Sequence, residues 1–237
     1  MKVLLGLICL VVLVPALGIS QTVLFFDDFE GAMDDQWVTP DGGWVVEDGH
    51  IWVTTSCGFD PCNPNLYAGG PDQLSYVVSF DFMVTQAFTN NGTGIRCMVA
   101  MTNPIEPGEG QTSGYSLGFG YSADGSPGNA NCQIQKLDES NMTEIGYASG
   151  PEFWVEPGVL YRAKMGRIGS ELVIKKWTVG DPEPNWMLSA TDEIYQSGYW
   201  LLAYWNQVGW IDNVLVEGYG VVPTEAETWG GMKALYR

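Results

Sequence analysis

YVVSFDFM at residues 76–83, GIRCMVAM at 94–101, GYSLGFGY at 114–121 and NCQIQKL at 131–137 decide the fold class. Each alternates with period two. Tyr76, Val78, Phe80 and Phe82 share one face of the first segment, and Val77, Ser79, Asp81 and Met83 share the other. Ile95, Cys97, Val99 and Met101 oppose Arg96, Met98 and Ala100. Tyr115, Leu117, Phe119 and Tyr121 oppose Ser116, Gly118 and Gly120, while Cys132 and Ile134 oppose Gln133 and Gln135. Side chains of a strand point alternately to its two faces, so this pattern marks antiparallel strands with one face buried and one solvated.

Outward from these segments the chain stays rich in Trp, Tyr, Val and Gly, with Gly, Pro, Asn and Asp clustered at short intervals. Such punctuation predicts further strands over 22–28, 44–55, 158–167, 170–178 and 198–217. No alternation of strands with helical segments is present, and no amphipathic helix precedes the C-terminal tail. About ten strands in two packed sheets give an all-β, antiparallel β-sandwich of jelly-roll type, one domain over 22–218.

The ends read differently. Lys2, the apolar run Val3–Val14, Pro15 and small residues to Gly18 or Ser20 have the order of a secretory signal peptide over 1–20, too short to span a bilayer. A secreted, extracellular or cell-surface location is therefore expected. Residues 219–237 are expected to form a tail in which Thr228 caps a short helix. The formal charge of −18 disfavours nucleic acid and anionic membranes as partners and leaves cations or neutral ligands. Four cysteines follow the leader, and in an oxidising compartment an even number suggests two disulfides, with three possible connectivities. Cys57 and Cys62 bracket the short loop CGFDPC and are expected to pair locally, leaving Cys97 with Cys132. Asn91 and Asn141 head glycosylation sequons.

LFFDDFEG at 24–31, Trp37 and GGWVVEDGHIWV at 42–53 resemble the first strands of the concanavalin A-like lectin/glucanase superfamily, in its laminin-G-like and 3-keto-disaccharide hydrolase-type branches. GVLYRAKMGRIGSELVIKKW, GDPEPNWMLSATD and GYWLLAYWNQVGWIDNVLVEG continue the resemblance to the end of the domain. It implies a structural Ca²⁺ site on the convex side, where Asp212 of the Asp212-Asn213-Val214 signature would be joined by Glu30, the Gly31 carbonyl and Asp48. The ending WGGMKALYR resembles tails of some secreted bacterial proteins, implying sorting or attachment to a cell surface.

Polar residues of the alternating strands supply the other candidate site. Ser79, Asp81, Arg96, Ser116, Gln133 and Gln135 all occupy non-apolar parity, and on neighbouring strands they would converge on one surface. Gly118 and Gly120 would let a ligand approach the backbone. Charges and planar amides suit sugar hydroxyls, and Trp205, with Trp186, Trp200 and Trp210, would offer aromatic faces. Catalysis has less support: the Glu-x-Asp-x-x-Glu pattern of laminarinase-like enzymes is absent, Asp81 is the best single carboxylate, and His50 lacks a nucleophile partner. The sequence thus points to a non-catalytic module binding glycan or polysaccharide. A carbohydrate-active hydrolase on the same face, or a structural or adhesive domain, are the alternatives.

Overall fold

Asp48 and Gly49 show how local sequence sets the topology. In the computed structural model of the chain both have positive φ, 53° and 72°. That is the two-residue hairpin geometry Asp-Gly favours, because its twist matches that of the flanking strands. It joins β2 (Trp44–Glu47) to β3 (His50–Val53), where a single strand over 44–55 was expected. The structure describes residues 19–38, 43–53, 65–68, 74–87, 94–102, 113–120, 129–139, 141–205 and 207–221, with only the backbone course given at 19–20, 65–68, 86–87, 204–205, 207 and 220–221. The leader, the Cys57–Cys62 pair, Asn91 and the tail beyond 221 lie outside these residues.

Residues Gln21–Tyr219 form one compact unit. The remaining strands are β1 (Ile19–Asp27), β4 (Asn65–Ala68), β5 (Tyr76–Ala87), β6 (Gly94–Met101), β7 (Gly114–Gly120), β8 (Asn131–Asp138), β9 (Asn141–Ser149), β10 (Leu160–Ile168), β11 (Glu171–Thr178), β12 (Leu188–Thr191), β13 (Tyr199–Trp205) and β14 (Gln207–Val221). The larger sheet runs β12-β11-β10-β5-β14-β3-β2, with β1 also paired to β14, and the smaller runs β4-β13-β6-β7-β8-β9. The strand expected over 198–217 is therefore two. Its halves, β13 and β14, belong to different sheets. The architecture is the expected antiparallel β-sandwich, with more strands than expected among the described residues.

The apolar parity of every diagnostic segment faces the shared core. Phe80, Phe82, Ile95, Cys97, Leu117, Phe119, Cys132 and Ile134 are all buried there. Tyr76 pins the sheets together at one end: its hydroxyl accepts the Ala100 N–H (2.9 Å) and donates to the Tyr199 carbonyl (3.1 Å). Ala100 has φ of 53°, an irregularity that shifts the parity of β6 and turns Met101 away from the main core. At the N-terminal edge, buried Asp27 accepts from the Phe29 and Asp34 N–H groups (2.9 and 3.0 Å) and from Trp37 Nε1 (2.7 Å). A carboxylate is acceptor-only, so three converging donors suit it. The knot seats Trp37 edge-on against Phe25 and Trp200, at centroid separations of 5.0 Å each.

One interior feature departs from expectation. Cys97 and Cys132 are free and buried, not bridged. Their inward parity is as expected, but β7 separates β6 from β8. Two strand spacings put the backbones about 9–10 Å apart, beyond the roughly 7 Å a disulfide spans. Lys176 also points inward. It donates to the Glu152 and Trp154 carbonyls (3.0 and 2.8 Å), lies over the Tyr161 and Phe119 rings, and burial lowers its pKa to about 8.

Replacing Asp27 with Ala strands the Trp37 indole N–H and two amides; we expect a loss of about 2–4 kcal/mol in urea unfolding. The thiols predict a pH dependence. Burial raises both above the ordinary value of 9.0, so above about pH 9 the unfolded chain releases protons that the native state retains, and stability falls. The slope approaches about 1.4 kcal/mol per pH unit for each thiol. Lys176 acts oppositely between about pH 8 and its ordinary value of 10.5, where the unfolded chain holds the extra proton. A Cys97→Ala/Cys132→Ala variant keeps Lys176, so it should lose less stability than the parent between pH 9 and 10.

Candidate functional site

The smaller sheet gathers four of the expected polar residues on its outer face. Cross-strand register aligns Ala203, Arg96, Gly118, Gln133 and Tyr147 in one row, and Leu201, Met98, Ser116, Gln135 and Glu144 in the next. Arg96 Nη1 donates to Ser116 Oγ (3.0 Å) and to Gln135 Oε1 (2.7 Å). Arg96 is only partly exposed and its partner Ser116 is buried; desolvation lowers the guanidinium to about 10, which leaves it charged at neutral pH. Gly118 serves this arginine rather than a ligand's approach to the backbone: a Cβ there would meet Arg96 Cγ at 2.8 Å. The missing side chain makes room for the arginine stem to lie across the sheet.

Tyr147 and Glu144 belong to this face although no local pattern marks them. Tyr147 stands opposite Gln133 and is 50% exposed. A register shift between Ile134 and Gln135 breaks the alternation of β9, so NMTEIGYAS reads as no regular strand. Beside the polar rows lies an apolar group of Met101, Leu137 and Leu201, with Met98 and Tyr199 packed against it. Of the tryptophans expected here, Trp200 is in the core, and the side chain of Trp205 lies outside the described residues.

Ser79 and Asp81 do not join Arg96. They sit on β5 in the other sheet, whose outer face is turned away from that of the smaller sheet. Parity assigns a side chain to the outside of the sandwich but not to one of its two outsides. Asp81 pairs instead with Arg162, in register with it on β10: Nε to Oδ1 is 2.6 Å and Nη2 to Oδ2 is 2.7 Å. Ser79 Oγ is buried without a hydrogen-bond partner. Trp210 is on this sheet too, against His50 and Trp52, and Trp186 stacks under Lys175 Nζ at 4.2 Å.

The Asp212-Asn213-Val214 signature forms a bulge on β14, where Asn213 takes φ of 50°. Asn213 Nδ2 reaches Asp212 Oδ2 (2.8 Å) and Asp81 Oδ2 (3.3 Å), while its backbone N–H donates to Asp212 Oδ1. Burial raises the pKa of Asp212; the Asn213 N–H and His50 oppose this, and the carboxylates of Asp81 and Glu30 add to it. Glu30 lies against Gly49, its Oε1 3.2 Å from where a Cβ there would stand. Asp48 presents its carbonyl to His50 Nδ1.

These residues do not fit the implied calcium site. Calcium takes six to eight oxygen ligands. Here both Asp212 oxygens accept hydrogen bonds from Asn213, and no three acidic, His or Cys side chains among the described residues converge to hold a metal. The signature builds a hydrogen-bonded bulge.

No protein-family model and no curated protein matches the sequence. Solved structures do match in fold. The carbohydrate-binding module CBM66 from Bacillus subtilis superposes with a TM-score of 0.57 at 14% identity, over 77% of this chain and 96% of that one. A Bacillus subtilis protein of unknown function with a galectin-like fold gives 0.57 at 12%, over 85% and 99%. The exoplasmic/lumenal domain of VIP36, in a form bound to Ca²⁺ and Man3GlcNAc, gives 0.61 at 13%, over 81% and 90%. At such identities the likeness establishes the fold, a lectin-like β-sandwich of the kind the concanavalin A-like resemblance implied.

Asp81 thus has a structural role. Asp81→Ala leaves the Arg162 fork without its partner, and we expect about 1–3 kcal/mol of destabilisation in chemical denaturation, with unchanged thermal stability in excess chelator.

Proposed function

We propose that the chain is a secreted glycan-binding module that receives a saccharide on the outer face of its smaller sheet. One observation carries this reading: three strands bring Arg96, Ser116 and Gln135 into a hydrogen-bonded group beside Gln133, with the half-exposed Tyr147 ring at its border. Sugar hydroxyls both donate and accept. An arginine whose stem is immobilised over Gly118 supplies fixed donors, and the two amides supply both kinds of group. Holding these side chains in place beforehand lowers the ordering cost that a weak ligand must overcome. A tyrosine at the rim offers a planar apolar face with little rotamer entropy to lose.

Fold likeness to a carbohydrate-binding module and to a Man3GlcNAc-bound exoplasmic/lumenal domain supports the same reading. The leader-like segment at 1–20 supports secretion, and the WGGMKALYR ending supports surface attachment. Asp81, the carboxylate on which a hydrolase reading rests, belongs to the other sheet and is committed to Arg162. That favours binding over hydrolysis.

A glycan and polysaccharide array tests the proposal. The parent should bind selectively and release no reducing ends. Arg96→Met should weaken a bound hit about tenfold or more, since a charged hydrogen bond contributes about 1.5–3 kcal/mol. Tyr147→Ala should weaken it by a smaller factor. A blank array, or hits untouched by Arg96→Met in a folded variant, would refute the assignment.

A further inference from the structure

A second pocket lies away from the sheet face, where the β10–β11 turn meets the loop between β12 and β13. It encloses about 460 Å³ and is lined by Leu74, Ser75, Arg167, Gly169, Ser170, Glu193 and Gln196. Arg167 is 5% exposed. Its Nη1 donates to the Gln196 carbonyl (2.9 Å) and its Nη2 reaches the Asp192 carbonyl at 3.5 Å, while Nε is buried with no partner. The ion pairs among the described residues join Lys136 to Asp192, Arg162 to Asp81, and Lys164 and Lys175 to Glu183; none includes Arg167. The nearby Asp192 carboxylate is spent on Tyr115, Ile194 and Lys136.

A buried cation whose hydrogen bonds among the described residues go only to neutral carbonyls is costly, because no carboxylate bonded to it offsets its lost hydration. Arg167 nevertheless lines an open pocket. We propose that this pocket is a binding site for an acidic monosaccharide unit, whose carboxylate supplies the missing counter-ion to Arg167. Arg167 provides the positive charge, and the long 3.5 Å contact of Nη2 leaves that donor able to turn to a carboxylate. Ser75, Ser170 and Gln196 provide neutral partners for ring hydroxyls, and the exposed Leu74 provides an apolar wall. The volume admits one or two sugar rings, within the ordinary range for ligand pockets. Glu193 at the rim opposes the anion and weakens binding. This site is independent of the Arg96 face and stands or falls separately.

The test is isothermal titration of the full chain with D-glucuronate, D-glucose and acetate at low ionic strength. Glucuronate should bind, and glucose and acetate should bind far more weakly. Ser170→Trp, a substitution in an external turn that leaves Arg167 in place, should abolish glucuronate binding. Glu193→Gln should tighten it about two- to fivefold, the size expected for removing a solvent-screened like charge. Arg96→Met should leave it unchanged. The proposal is overturned if glucose or acetate binds as tightly as glucuronate, if no glucuronate binding is detected, if Ser170→Trp retains it, or if Arg96→Met removes it.

Discussion

Everything else in this molecule depends on the register of β6, β7 and β8. Ile95, Cys97, Leu117, Phe119, Cys132 and Ile134 must all enter one apolar layer, and a slip of one residue in any strand would expose its whole inward set. That requirement fixes the outer face as well. With Cys97 opposite Leu117 and Leu117 opposite Ile134, Arg96 falls opposite Gly118 and Ser116 falls opposite Gln135. The hydrophobic effect thus places the polar group without acting on it directly. Hydrogen bonds from Arg96 then hold in position what the core has brought together.

The chain carries few cations and many carboxylates, yet only some of its buried cations are neutralised by acids. Buried Lys175 is matched by Glu183, whereas buried Arg167 and Lys176 are held by carbonyl oxygens among the described residues. The consequence differs by location. Lys176 is sealed between aromatic rings and carbonyls, where the cost of its burial appears as a lowered pKa. Arg167 lines a pocket, where a ligand can supply a counter-charge, and Arg96 lies on the outer face of the smaller sheet. On the larger sheet the Asp81–Arg162–Asn213 network is paired within itself and leaves little for a ligand to use.

Strand parity was legible in the sequence because it follows from local alternation. The side chains expected to face inward on β5 to β8 do so, up to the irregularity at Ala100. Partnership between strands was not legible, because it depends on contacts far apart along the chain. Asp81 and Arg96 both point outward but on opposite sides of the sandwich, and Cys97 and Cys132 both point inward but with a strand between them. The hairpin at Asp48-Gly49 was written in its two turn residues, while the passage from β13 to β14 between sheets carried no comparable signal. Tyr147 escaped notice because the shifted register of β9 hides its alternation, and Arg162 because its acidic partner is 81 residues away.

The central claim, that the outer face of the smaller sheet is a glycan surface, is tested most directly by backbone amide NMR during titration with a saccharide identified by array. The account predicts shifts concentrated on Arg96, Ser116, Gln133, Gln135 and Tyr147, saturating with one affinity. Shifts centred on Asp81, Arg162 and Asp212 of the opposite sheet, with the Arg96 group unmoved, would contradict it.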